Sequence, residues 1–437
     1  MKYQVKDILR IEVAPALGCT EPSAVALSAA AATSLLKDKS ITAIEVWLDP
    51  NIYKNGLAVS IPGARGGSGI DLAAALGAFG GDPRQKLEVL APVDDAILKQ
   101  AEEFIRRKKV KVNLLPDQTG IYIRTQISNA REKAEAMIAD LHDNIVSLKL
   151  NGKEIKKHPL LSVTSKTQTE VHRLEQWLAG ISLEELIAMP DEMDEEDFRF
   201  IEEGIECSMK LAEWGLRYGP GMGVGVTLER LVREGLLKKD MILASRILTS
   251  AASDARMSGA KLPAMSSSGS GNHGLTAILP IWAVKDFIAC DDRIRILRAI
   301  ALSHIITAYI KAHTGRLSAV CGCSIAAGAG AAGGITYLMG GNIHHIAGAI
   351  KNLIEDLAGV ICDGAKASCS LKLATAAGTA VQSALFALHG IDVQATDGII
   401  ARSPEQTMKN VGQLSTQGMV ETDRTILQIM MKKQFDA

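Results

Sequence analysis

Four of the seven cysteines in this 437-residue chain, Cys321, Cys323, Cys362 and Cys369, crowd one late stretch made mostly of Gly, Ala and Ser. Residues 1–7 lack the basic-then-apolar layout of a secretory leader, so the thiols are expected to stay reduced. Grouped reduced cysteines read as ligands of a metal or cluster, or as nucleophiles. Zinc sites favour C-x2-C pairs or nearby histidines. Here forty residues separate Cys321 from Cys362, and six separate Cys362 from Cys369. Three thiolates from two distant segments suit an iron–sulfur cluster with three protein ligands, leaving one iron open as a Lewis acid. The alternative is that these are small packing residues in a tight helical core.

Cys19 stands alone, in Pro15-Ala16-Leu17-Gly18-Cys19-Thr20-Glu21-Pro22. Gly18 permits an unusual backbone angle, and Pro22 suits the first turn of a helix. That places Cys19 at a helix N-terminus, where the dipole and free N–H groups lower a thiol pKa and make a base or nucleophile. The alternative is a Thr20 cap beside a packed cysteine.

A third stretch, Ser266-Ser267-Ser268-Gly269-Ser270-Gly271-Asn272-His273-Gly274, follows Ser253-Asp254-Ala255-Arg256-Met257. Its backbone N–H groups and hydroxyls suit a carboxylate or phosphate, and Arg256 can add a bidentate contact. It is neither a Walker loop nor a dinucleotide fingerprint after a strand. His344 and His345 read as solvated loop residues and His304 as half-buried on a helix. His313 is a candidate to approach the cysteine loop, and Cys207 and Cys290 read as helix-face packing residues.

The elements that must position these groups fall into two textures. Residues 40–155 read as α+β. Strands are expected at 41–48, 57–61, 110–114, 121–125 and 145–150, from alternation and β-branching. A turn at Pro116-Asp117 separates the third and fourth, and Asn151-Gly152 gives a hairpin turn after the last. Helices are expected near 72–77 and 92–108, with Pro92 at the first helical position. Residues 23–36 and almost everything after 174 read as helix, with 155–180 as the return connection. The fold class is therefore α+β: a large, mainly helical catalytic domain from 1–38 and 170–437, with a smaller α/β-sandwich-type domain inserted at 40–165.

Lys and Arg number 48 against 49 Asp and Glu, and aromatics are 4%, which gives no electrostatic or stacking case for nucleic acid or an anionic membrane. The uncharged run 319–340 is Gly-rich and interrupted by Ser324 and Thr336, and reads as buried small-residue helices rather than a membrane span. A cytoplasmic protein is expected, and its apolar fraction of 47% leaves room for a homo-oligomer.

Several motifs together resemble the L-cysteine desulfidase family, which includes many serine dehydratase-like proteins. They are the run from Pro15 to Pro22, Asn51-Ile52-Tyr53-Lys54-Asn55-Gly56, Ser253 to Met257, Ser268 to Asn272, Arg316-Leu317-Ser318-Ala319-Val320-Cys321 and Ile361-Cys362-Asp363-Gly364-Ala365. The resemblance runs nearly end to end, and the helical part is more distantly similar to iron–sulfur L-serine dehydratases. It implies a 4Fe-4S enzyme acting on a small amino acid, splitting L-cysteine into hydrogen sulfide, ammonia and pyruvate. By that resemblance Cys321, Cys362 and Cys369 are the cluster ligands, with Cys323 as the rival of Cys321. Cys19 is the acid/base thiol, and Ser268, Gly269, Ser270, Asn272 and Arg256 hold the substrate. A thiol redox sensor or cluster-binding protein without turnover is the alternative, and a zinc hydrolase a weaker third.

Overall fold

In the computed structural model, residues 3–161, 164–288 and 290–435 are described. The expected signal-free start at Met1 and Lys2 lies outside them, and the expected end of the inserted unit at 165 falls beside the gap. The fold is α+β, as expected: a six-stranded sheet beside a large array of helices.

Strand β1 (Val13–Leu17) pairs antiparallel with β8 (Pro263–Ser267), far along the chain, with Val13 opposite Ser267 and Leu17 opposite Pro263. The larger sheet has the order β3-β2-β4-β5-β6-β7, built from β2 (Ala43–Leu48), β3 (Val110–Leu114), β4 (Tyr122–Ser128), β5 (Lys133–Ala139), β6 (Ile145–Leu150) and β7 (Lys153–Glu154). Residues along β2 and β4 alternate between buried and half-buried, so one face of the sheet carries the core. On the other face Arg124 stacks over Trp47 at 4.0 Å, between directly opposed positions.

The helices Thr20–Ser34 and Ile70–Gly80 cover the buried face of the sheet. They approach so closely that a methyl on Gly77 would overlap the Ala26 carbonyl, which is why small residues line this contact. The sequence reading placed residues 23–36 with the helical unit. Their apolar side chains instead share one core with Ile44, Val46, Ile123 and Ile138 of the sheet. Ala-rich helices look alike in sequence whether they cover a sheet or another helix.

The second core belongs to helices Met241–Met257, Gly271–Val284, Arg293–Thr314, Gly328–Leu338, Ile343–Leu357 and Cys369–Leu388. Several are buried on every side, as central helices of a large core are. Gly330 and Gly334 meet the backbone of Ser303 and Ala299. Cys369–Leu388 is long and apolar enough to cross a membrane, but it is mostly buried inside the fold. Within 319–340 the apolar helical run Cys323–Leu338 is shorter than a membrane span needs.

Local expectations fail in four places. Residues 57–61 form no strand, only an isolated bridge from Ser60 to Ser68; Val59 and Ile61 are buried, but Pro62 and Gly63 turn the chain before a ladder can extend. The turn expected at Pro116-Asp117 does lie between β3 and β4, with β3 parallel to β2 and β4 antiparallel along the other edge of β2. β5 was missed altogether. The helix after Pro92 starts at Asp95, because the Asp94 side chain accepts the N–H groups of Ala96 and Ile97 and sets the cap there. The return connection contains a helix of its own, Thr164–Leu178.

Candidate active site

A single small cavity, about 80 Å³, is lined by all nine residues singled out in sequence: Cys19, Arg256, Ser268, Gly269, Ser270, Asn272, Cys321, Cys362 and Cys369. They arrive from four directions. Gly18 takes a φ of +71° and turns the chain out of β1, so that Cys19 becomes the N-cap of Thr20–Ser34. At the end of β8, Ser268 and Gly269 take φ of +45° and +80° and bend the chain into Gly271–Val284. Cys321 and Cys323 enter a five-residue π turn, Cys323–Ala327, a distortion often found at functional sites. The backbones of Cys321 and Cys362 are held side by side, with Cys362 N–H donating to Ala319 O at 2.6 Å and Cys321 N–H to Val360 O at 2.8 Å. Cys369 opens the helix Cys369–Leu388.

Arg256 ties two of these pieces together. Its Nη2 donates to Gly18 O at 2.7 Å and its Nη1 to Asn272 Oδ1 at 2.9 Å. Gly271 leaves room for this guanidinium and for no side chain of its own. Each terminal nitrogen thus holds one protein acceptor, and Arg256 clamps the Cys19 turn to the Ser/Gly loop while its buried Nε has no protein partner.

The thiols are not equivalent. The Cys323 thiol donates to Cys321, which holds Cys321 well below the usual thiol range and Cys323 well above it. Burial raises Cys362, against the opposing charges of Lys54 and Lys372. Burial also pushes Cys369 up to about 11, and ionised Cys321 and Cys362 add to the shift. Cys19 is 3% exposed, and burial drives it up to about 12, opposed by the Arg256 charge. The expectation of a lowered Cys19 pKa is thus corrected. The helix N-terminus is where it was expected, but Val59 and Met257 enclose the sulfur, and desolvation exceeds the dipole.

The cavity also holds groups to which the sequence gave no role. Glu21, Asn55, His273, Lys311, Arg316 and Lys372 line it. His273 Nδ1 lies 3.1 Å from Ser267 O. A carbonyl only accepts, so the ring proton sits on Nδ1 and the Nε2 lone pair faces the Gly322 backbone. Burial lowers this histidine to about 3, which keeps it neutral. Lys311 is 5% exposed and is lowered to about 8 by burial. Its only sequence signal was a lysine in the otherwise apolar Tyr309-Ile310-Lys311-Ala312. His304 is fully buried, with Nδ1 3.0 Å from Ser267 Oγ. His313 stays outside the cavity, edge-on to Tyr309. His344 and His345 belong to the first turn of Ile343–Leu357, capped by Asn342. Cys207 lies half-buried on Glu195–Tyr218, and Cys290 in the connection after Gly271–Val284.

Among the described residues, no three His, Cys, Asp or Glu side chains close on one point as a single-metal site does. This disfavours zinc. A four-iron cluster asks for a wider arrangement, because each thiolate binds a different iron. Three thiols facing one cavity, with Lys54 and Lys372 offsetting their charge, fit such a group.

A mainly helical unit thus gathers thiols, a Ser/Gly loop and buried charges around one small pocket. The chain belongs to the serine dehydratase alpha chain family, whose model matches residues 85–428. It is similar over its whole length to a UPF0597 protein of Desulfatibacillum aliphaticivorans, at 59% identity over 100% of this chain and 99% of the relative. A UPF0597 protein of Clostridioides difficile is 42% identical over 97% and 98%, and one of Geobacter sulfurreducens 38% over 98% of each chain.

Proposed function

We propose that this chain is an iron–sulfur-dependent β-eliminating lyase of the L-cysteine desulfidase type. It would convert L-cysteine and water to pyruvate, ammonia and hydrogen sulfide, or L-serine to pyruvate and ammonia. The observation that carries the reading is the convergence of Cys321, Cys362, Cys369 and Cys19 on one small polar cavity. Cys321, Cys362 and Cys369 would hold a 4Fe-4S cluster, which when bound supplies an open iron as a Lewis acid.

The chain's own residues supply the rest. The Ser268–Gly269–Ser270 turn offers the Ser268 hydroxyl, whose oxygen is buried without a protein partner, while the N–H groups of Ser268 and Ser270 already donate to Glu12 O and Ser267 O. Cys19 rests as a thiol, so its ready role is to give a proton to the departing sulfur or oxygen. The thiolate left behind, beside the Arg256 charge, accepts the Cα proton. A free thiolate would cost about 7 kcal/mol at pH 7, so the two transfers are concerted. The Cα–H electron pair forms the Cα=Cβ bond and expels the β-substituent, which takes the Cys19 proton, while the Cys19 sulfur takes up the Cα proton. The aminoacrylate released then takes up water to give pyruvate and ammonia.

Anaerobic reconstitution with iron and sulfide should give broad visible absorption and sulfide release that depends on cysteine. Full activity in Cys362→Ala would sink the proposal. The hydrogen-bonded Cys321–Cys323 pair favours a second reading, a thiol redox sensor on the same scaffold. Pyruvate formation from any β-substituted amino acid rules that out as the sole role.

A further inference from the structure

Two buried side chains of opposite charge, Glu21 and Lys311, line the cavity, and among the described residues neither forms an ion pair with a Lys, Arg, Asp or Glu. Glu21 sits at the start of Thr20–Ser34 and is 8% exposed. Its Oε1 accepts from Asn55 Nδ2 at 2.9 Å, and its Oε2 from Thr20 Oγ1 at 3.2 Å. Both donors are neutral. Its nearest basic group among the described residues is His142 Nε2, at 4.0 Å, and burial lowers that histidine and keeps it uncharged. A carboxylate held by neutral donors in a closed pocket lacks the cation that would offset its desolvation.

Lys311 is the complementary case. Among the described residues its Nζ has no hydrogen bond and no carboxylate partner. The other cations of the cavity are committed. Arg316 pairs with Glu12 at 2.7 Å and Glu175 at 3.0 Å. Lys372 pairs with Asp363 and donates to Ile361 O at 2.7 Å. Arg256 is held by Gly18 O and Asn272 Oδ1, with only its buried Nε left unpartnered. Lys311 is left as a buried ammonium facing the pocket with no carboxylate partner, its nearest anionic groups being the thiols of Cys362, Cys323 and Cys321.

We propose that Glu21 and Lys311 form a zwitterion site, in which Glu21, oriented by Asn55, receives the α-ammonium of an amino acid and Lys311 receives its carboxylate. The inference rests on the cavity being the substrate site and adds the basis of its selectivity. The pocket recognises the two charged groups shared by every α-amino acid and places the β-substituent toward the thiols. A 2-hydroxy acid leaves Glu21 unpaired, and an amine without a carboxylate leaves Lys311 unpaired. Losing one buried charge-assisted hydrogen bond weakens binding about 30-fold.

The test is calorimetric titration of the full-length, anaerobically reconstituted protein with L-alanine, L-lactate and ethylamine. L-alanine carries both charged groups and has no leaving group, so binding is read apart from turnover. Wild-type protein is expected to bind L-alanine at least tenfold more tightly than either competitor. Glu21→Gln is expected to weaken L-alanine about 30-fold and leave L-lactate unchanged, and Lys311→Met to weaken both. Equal binding of L-lactate and L-alanine by the wild type overturns the site, and that comparison needs no variant to fold. So does an unaltered L-alanine affinity in Glu21→Gln. Selective L-alanine binding without pyruvate formation from cysteine or serine upholds the zwitterion site and overturns the lyase. Pyruvate formation with unchanged binding in both variants does the reverse.

Discussion

Cys369 packs, with Ala365, against the buried apolar cluster that Cys19 forms with Val59 and Met257. The charge of an ionised Cys369 raises Cys19 further. A thiolate at Cys369 therefore keeps the Cys19 proton in place, which links the charge of the proposed ligand set to the protonation of the proposed acid.

This ordering of thiols is open to a footprint. In protein stripped of iron, iodoacetamide should modify Cys321 at a rate nearly independent of pH above neutrality. Cys19 and Cys369 should react slowly at pH 7 and about tenfold faster per pH unit, as their thiolate fractions rise toward pKa values of about 12 and 11. Peptide mass spectrometry gives both rates. After reconstitution, Cys321, Cys362 and Cys369 should be protected while Cys19 is not. Protection of Cys323 in place of Cys321 would reassign the ligand.

Gly322 is a second point of leverage. A methyl there would overlap His273 Nε2, and the buried imidazole cannot retreat because its Nδ1 is bound to Ser267 O. Gly322→Ala should cost about 1–3 kcal/mol of stability. It should also displace the Cys321–Cys323 turn, so that iron bound per chain falls well below that of wild type. A variant with normal iron content and an unshifted melting temperature would show that the turn is more compliant than its packing implies.

His304 predicts a pH dependence. Burial lowers it to about 4, against about 6.5 in an unfolded chain. Between those values the unfolded state binds more protons, so stability is constant above about pH 6.5 and falls as the pH drops from there toward 4. The loss from this group between pH 7 and pH 5 is about 2 kcal/mol. Urea melts at the two pH values should show that His304→Gln removes a corresponding part of the acid sensitivity. Equal sensitivity in wild type and variant would remove His304 from the account.

The C-terminal helix is fastened from the sheet side. Lys54, 1% exposed, pairs with Asp423 of Val420–Phe435. Removing the carboxylate leaves a buried ammonium unpaired, which costs about 3 kcal/mol. Asp423→Ala should therefore speed amide exchange across 420–435 while leaving the helix Gly328–Leu338 protected. Exchange at wild-type rates would mean that apolar packing alone holds the helix down.

The sequence carried the sheet where alternation was written in branched residues, as in β2 and β4. It concealed β5, because Lys133-Ala134-Glu135-Ala136-Met137 alternates only among strong helix formers. It suggested a strand at Val59 and Ile61, where burial comes from helices and no neighbouring strand exists. The position of Cys19 at a helix start was legible from Gly18 and Pro22. Its charge state was not, because the side chains that enclose it, Val59 and Met257, are distant in sequence. Lys311 was hidden for a related reason. Arg293–Thr314 is buried nearly all round, so no polar face sets Lys311 apart.

The pairing of β1 with β8 and the meeting of Cys19 with Cys369 also set an order in time. Cys19 leaves the ribosome first among the cavity's residues, and Lys372 last. Contacts of such long sequence separation form late. The pocket therefore cannot assemble before the chain has been made to residue 372. A cluster held by Cys321, Cys362 and Cys369 beside Cys19 would enter only once the two ends of the chain have met, so its insertion would be coupled to the last long-range step of folding.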